Sequence, residues 1–96
     1  MTAKATERQL RLRKALAASL RDLRALRGVS QSQLAAAVGM TQASISNYER
    51  GIREPTVTGA LQLASALGVT LGELVSEAEE LQHTEPVEFP AGASHS

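Results

Sequence analysis

Residues Ser30 to Gly51 read SQSQLAAAVGMTQASISNYERG, and their reading decides the fold. Ser30 and Thr41 each precede a glutamine and a run that supports a helix, the pattern of a helix N-cap. In the first segment Leu34, Ala35 and Val38 share one face; in the second, Ile45 points inward. Gly39 stands between them. A helix commonly ends on a residue of positive φ, which glycine adopts without steric cost. The stretch therefore predicts two short helices, about 31–38 and 42–50, joined by a tight turn and closed by Gly51. Gln42, Ala43, Ser46 and Asn47 are left on or beside an outward face of the second.

Working outward, the same rules place three more helices. Residues 1–5 are expected to be disordered, and Thr6 is the expected N-cap of a long first helix that begins at Glu7. Leu12, Leu16, Leu20 and Leu23 recur in steps of four, four and three, one helical face. The pattern runs to Arg27 and stops at Gly28. Glu54-Pro55 marks a loop, since proline disfavours helix at the residue before it. Thr56 or Thr58 starts a fourth helix with Leu61, Leu63, Ala64 and Leu67 inside, ended by Gly68. Thr70 caps a fifth, with Leu71, Leu74 and Val75, which runs on through Glu77 to Leu81. The remaining QHTEPVEFPAGASHS has little apolar content and reads as a disordered tail. With no strand alternation and no internal repeat, the expectation is an all-α fold of five helices. It divides into a basic, partly helical extension at 1–15, a domain at 16–76, and an acidic extension and flexible tail at 77–96.

Composition narrows the function. Ninety-six residues make one small domain, and a core of that size is marginal. Tyr48 and Phe89 are the only aromatics, so the core must be aliphatic. There is no cysteine, and both histidines, His83 and His95, lie in the tail, so no metal site or cofactor is expected. No apolar run approaches the ~20 residues that span a bilayer. The N-terminus lacks the apolar segment of a secretory signal, so a soluble cytoplasmic protein is expected. No nucleophile–base pair or glycine-rich phosphate loop is present, and no catalytic residue is expected.

The net charge of zero conceals a complete split. All ten Lys and Arg lie at or before Arg53, against Glu7, Asp22 and Glu49, a net of +7; residues 54–96 hold seven Glu and no Lys or Arg, a net of −7. The basic half suits an anionic partner.

Two capped helices at this spacing match a helix-turn-helix, whose second element enters the DNA major groove, although any small helical domain can show the bare pattern. The exposed residues suit that task. The Gln42 amide can pair with adenine N6 and N7, Asn47 is a second reader of adenine, and the Ala43 methyl can meet the thymine methyl. Ser46, one turn from Gln42, can reach a base or a phosphate. Thr41 caps the helix and can touch the DNA backbone, as can Ser44. Gln31 and the free N–H groups at its helix start suit a phosphate, and Arg50 and Arg53 suit phosphates beyond the second helix. Arg8, Arg11, Arg13 and Lys14 are either further phosphate contacts or a solvated helix face. Tyr48 either packs beneath the helix at 42–50 or reaches a phosphate with its hydroxyl, and packing is the expectation.

From about Leu20 to Val75 the chain resembles the phage-repressor and Cro-like (XRE) helix-turn-helix family. LRALRGVSQSQLAAAVG, MTQASISNYERG, the Pro55 loop and LASALGVTLGELV occur in family order and spacing. The resemblance implies a lambda-repressor-like domain of five helices that binds double-stranded DNA sequence-specifically, usually as a homodimer on a palindromic operator. It implies a base contact at Gln42, a phosphate at Gln31, and a structural ion pair between Arg24 and Glu49. Ala43 departs from the pattern, because some members carry a second base-reading amide there. The expected function is a transcriptional regulator, a dimeric repressor whose interface lies within Leu71–Leu81. Two alternatives share the same DNA chemistry. One is an antitoxin-type protein whose acidic half binds a basic toxin while it autoregulates its operon; the other is a restriction-modification controller.

Overall fold

The computed structural model describes residues 3–81 and 89–90, with side chains over 7–76 and 89–90. Five helices follow one another: α1 (Ala3–Arg27), α2 (Gln31–Val38), α3 (Gln42–Glu49), α4 (Val57–Ala66) and α5 (Leu71–Leu81). No strand occurs among the described residues. The tail expected to be disordered lies outside the described residues except for Phe89 and Pro90, which are exposed and in no regular element.

The helix ends follow from local chemistry. Ser30 Oγ accepts the Gln33 N–H at 3.0 Å while Gln33 Oε1 accepts the Ser30 N–H at 2.7 Å, a capping box that fixes the start of α2. Thr41 caps α3 through the Ser44 N–H at 3.1 Å, and Thr56, rather than Thr58, caps α4 through the Gly59 N–H at 3.0 Å. Thr70 and Glu73 form a second reciprocal box, at 3.0 Å in both directions, that opens α5. Gly39, at φ +70°, reverses the chain after α2, and the Met40 N–H then reaches the Ala35 carbonyl at 2.9 Å.

α1 starts earlier than the sequence suggested. It is already helical at Ala3, so Thr6 lies within it rather than capping it. Ala3, Lys4 and Ala5 are strong helix formers with no breaker beside them, and this outweighs the weak signal of one threonine.

The core gathers Leu20 from α1, Leu34 and Ala35 from α2, Ile45 from α3, and Leu63 and Leu67 from α4, with Tyr48, Val38, Met40 and Leu23 packed around it. Fully burying each large aliphatic side chain contributes roughly 1.5–3 kcal/mol. α5 packs mainly on α1. Leu74 is buried there, and the buried Ser19 hydroxyl donates to the Leu74 carbonyl at 2.7 Å.

Two expected core leucines are exposed. Leu12 is 43% exposed and Leu61 48%. In α4 the buried set is Ala60, Leu63, Ala64 and Leu67, spaced i, i+3, i+4, i+7. Leu61 stands one residue, about 100°, round from Ala60. It lines a shallow groove with Ala37 and Val38 instead. In α1 the small residues Ala15 and Ser19 are buried, Ser19 against Leu74 of α5, whereas Leu12, a turn earlier, is left at the margin.

Candidate nucleic-acid interface

α3 is anchored on its inner side and free on its outer side. Ile45 is fully buried, and Glu49, one turn on, is 4% exposed. A carboxylate so placed needs partners, and it accepts three hydrogen bonds from two residues. Arg24 of α1 reaches it through Nε at 2.5 Å and Nη2 at 3.0 Å, a bidentate pair. Gln31, the first residue of α2, donates its Nε2 to Glu49 Oε1 at 3.1 Å. Arg24 also donates Nη1 to the Val29 carbonyl at 2.8 Å. The hydrogen bond to Glu49 holds the Arg24 pKa above its ordinary value, with the nearby negative charge adding to it and burial opposing it. One carboxylate thus joins the end of α1, the start of α2 and the end of α3.

The chemistry of that carboxylate sets two amide orientations in turn. An ionised carboxylate only accepts, so Gln31 must present its NH2 to Glu49. Its Oε1 then faces Gln42, whose Nε2 donates to it across a longer 3.4 Å. Gln42 is exposed at the first turn of α3, and its Oε1 and second N–H have no partner among the described residues. The Gln31 side chain is therefore engaged at both ends inside the protein, which leaves the backbone N–H groups at the α2 start as the donors open to a phosphate.

The other expected contact residues lie as follows. Ala43 is exposed beside Gln42. Ser46 and Asn47 are half-buried on the next turn. Thr41 is exposed, and its Oγ1 donates to Ser44 Oγ at 3.0 Å, so both hydroxyls are tied into the cap. Arg50 and Arg53 are exposed in the turn after α3, where the Ile52 and Arg53 N–H groups both return to the Asn47 carbonyl, at 3.0 and 3.3 Å. Tyr48 packs against the core.

Two further arginines hold this end of α3: Arg21, which the sequence did not single out, and Arg13, expected from the sequence to be either a phosphate contact or part of a solvated face. Arg21 donates Nη1 to the Glu49 carbonyl at 3.0 Å, and Arg13 donates Nη1 to the Ile52 carbonyl at 3.4 Å. The carbonyl end of a helix carries partial negative charge, which cations stabilise. The signal was the spacing: Arg13, Arg21 and Arg24 fall within one arc of α1.

Residues 20–74 match the helix-turn-helix family HTH_3. The chain is similar to the uncharacterized HTH-type transcriptional regulator y4dJ of Sinorhizobium fredii, 39% identical over 69 residues that cover 72% of this chain and 90% of that one. It is similar to the cryptic phage CTXphi transcriptional repressor RstR of Vibrio cholerae, 35% identical over 60 residues; these cover 62% of this chain but only 54% of the repressor. The fold matches the crystal structure of the clp gene regulator ClgR from C. glutamicum with a TM-score of 0.69 and 35% identity, covering 72% of this chain and 90% of that one.

Proposed function

This chain belongs to the helix-turn-helix family of DNA-binding transcriptional regulators, and on that premise we propose that it is a dimeric, sequence-specific repressor that reads the major groove with α3. The observation that carries this reading is the relay from Glu49 through Gln31 to Gln42. It holds one exposed amide at the start of α3 with a donor and an acceptor facing outward, the pair that adenine N6 and N7 require. Asn47 and Ser46, one turn along, read neighbouring base edges, and Ala43 contacts a thymine methyl. Arg50, Arg53 and the N–H groups at the starts of α2 and α3 hold phosphates and set the register, with Thr41 and Ser44 close to the backbone.

A protein of this kind places two recognition helices about 34 Å apart, in successive major grooves on one face of a palindromic operator. The surface of α5 is the proposed contact between the two copies. Likeness to a phage repressor supports repression over activation.

Selection of bound duplexes from a random-sequence pool tests the whole reading. The expected product is an inverted repeat with half-sites one helical turn apart. Gln42→Ala should then lose about 1–3 kcal/mol of discrimination at one base pair per half-site and little elsewhere. Failure to enrich any sequence would refute specific reading, and enrichment of a single unrepeated site would refute the dimer.

A further inference from the structure

The family match begins at residue 20, but α1 begins at Ala3. Residues 3–19 are therefore additional helix, about 25 Å of it at 1.5 Å per residue. This segment is docked. A Cβ placed on Gly51 would lie 3.6 Å from Lys14 Cγ and 3.8 Å from Ala17 Cβ, so α1 passes within one carbon's width of the turn after α3. Arg13 reinforces the contact by its bond to the Ile52 carbonyl. Four cations surround this contact: Arg11 and Lys14 on α1, and Arg50 and Arg53 on the turn. All four are exposed. Among the described residues, none of them forms a salt bridge; the ion pair found there is Arg24–Glu49.

Geometry places this cluster at the edge of the groove. α3 has eight residues, so it is about 12 Å long, close to the width of the major groove. When its first turn lies on the bases, the turn after its last residue lies at the rim, where the phosphate strand passes. Lys14 of α1 lies against that turn, and Arg11, three residues earlier, extends the same face of α1 away from it.

We propose that the N-terminal extension of α1 is a second DNA-binding element, in which Arg11 and Lys14 join Arg50 and Arg53 to hold phosphates flanking the half-site. This rests on the reading of α3 as the groove element. Arg13 is a positioning residue: its guanidinium is turned to the Ile52 carbonyl and fixes the extension to the turn. The occupant is the sugar-phosphate backbone and carries no base information, so the element raises affinity on every sequence alike.

The test compares the full chain with the double variant Arg11→Ala/Lys14→Ala on two labelled duplexes, the sequence selected from the random pool and a scrambled control. Both changes are at exposed positions, and an unchanged thermal melt checks that the fold is intact. Two lost phosphate contacts lower the slope of log K against log salt by about 1.8, so the advantage of the unaltered chain should shrink by about 12-fold between about 50 and 200 mM salt. The shrinkage should be equal on both duplexes, and Arg11→Lys/Lys14→Arg should restore it. An unchanged slope in the alanine variant, while Gln42→Ala still loses discrimination, refutes the element and leaves the α3 reading standing. No salt-dependent binding of the unaltered chain to either duplex refutes both.

Discussion

Glu49→Ala is the perturbation that most directly tests how this domain is held together. The carboxylate accepts two bonds from Arg24 and one from Gln31, and it is 4% exposed. Breaking a buried ion pair by removing one partner costs about 3–5 kcal/mol, most of it from the charge left behind. Here the stranded group is Arg24, whose side chain is 19% exposed and keeps its bond to the Val29 carbonyl. Water can reach it in part, which favours the lower end, about 3 kcal/mol. A domain of this size has a total stability of only roughly 4–12 kcal/mol at ~0.05–0.15 kcal/mol per residue. At ~4–8 °C per kcal/mol, the melting temperature should fall by about 12–24 °C. The assay is thermal unfolding followed by far-UV circular dichroism. The double variant Arg24→Met/Glu49→Leu removes both charges and should melt well above Glu49→Ala, because no charge is stranded. A fall below ~4 °C in the single variant, or a double variant as damaged as the two single changes added together, would overturn the account.

Gln31→Ala should melt almost normally, since the residue is only half-buried, yet it should lower affinity for the selected duplex by loosening Gln42; thermal unfolding and an anisotropy titration on the same sample separate the two. An affinity unchanged from the parent would remove the relay from the mechanism. Gly39→Ala forces a methyl into φ +70°, and chemical denaturation should show a loss of about 1–2 kcal/mol although nothing lies within 4 Å of the added carbon. Leu63→Ala, at a fully buried position shared by four helices, should cost about 2–5 kcal/mol in the same experiment; a cost below that of Gly39→Ala would mean the core is placed wrongly.

The sequence by itself determined where most elements begin and end. Ser30, Thr41, Thr56 and Thr70 cap helices, and Gly28, Gly39, Gly51 and Gly68 all take positive φ. Such features are local: a cap needs only a hydroxyl within reach of an N–H two or three residues away, and a reversal needs only a residue without a Cβ. The fold class was legible for the same reason, as was the exposure of Gln42 and Ala43 on α3.

Only the tertiary structure decided what each face meets. Periodicity assigns a residue to a side of a helix but does not say how many neighbours that side will have. Leu12 and Leu61 therefore read as core and are half-exposed, while Ser19 read as nothing and is buried against Leu74. Gln31 and Gln42 are eleven residues apart, and no local rule joins their amides. Their shared orientation follows from a carboxylate on α3 that a cation on α1 holds in place. Arg13 and Arg21 are likewise ordinary helix cations until packing sets the end of α3 beside them. Capping energies act within one turn of chain, whereas burial and charge pairing depend on which distant segments the fold brings within a few ångströms.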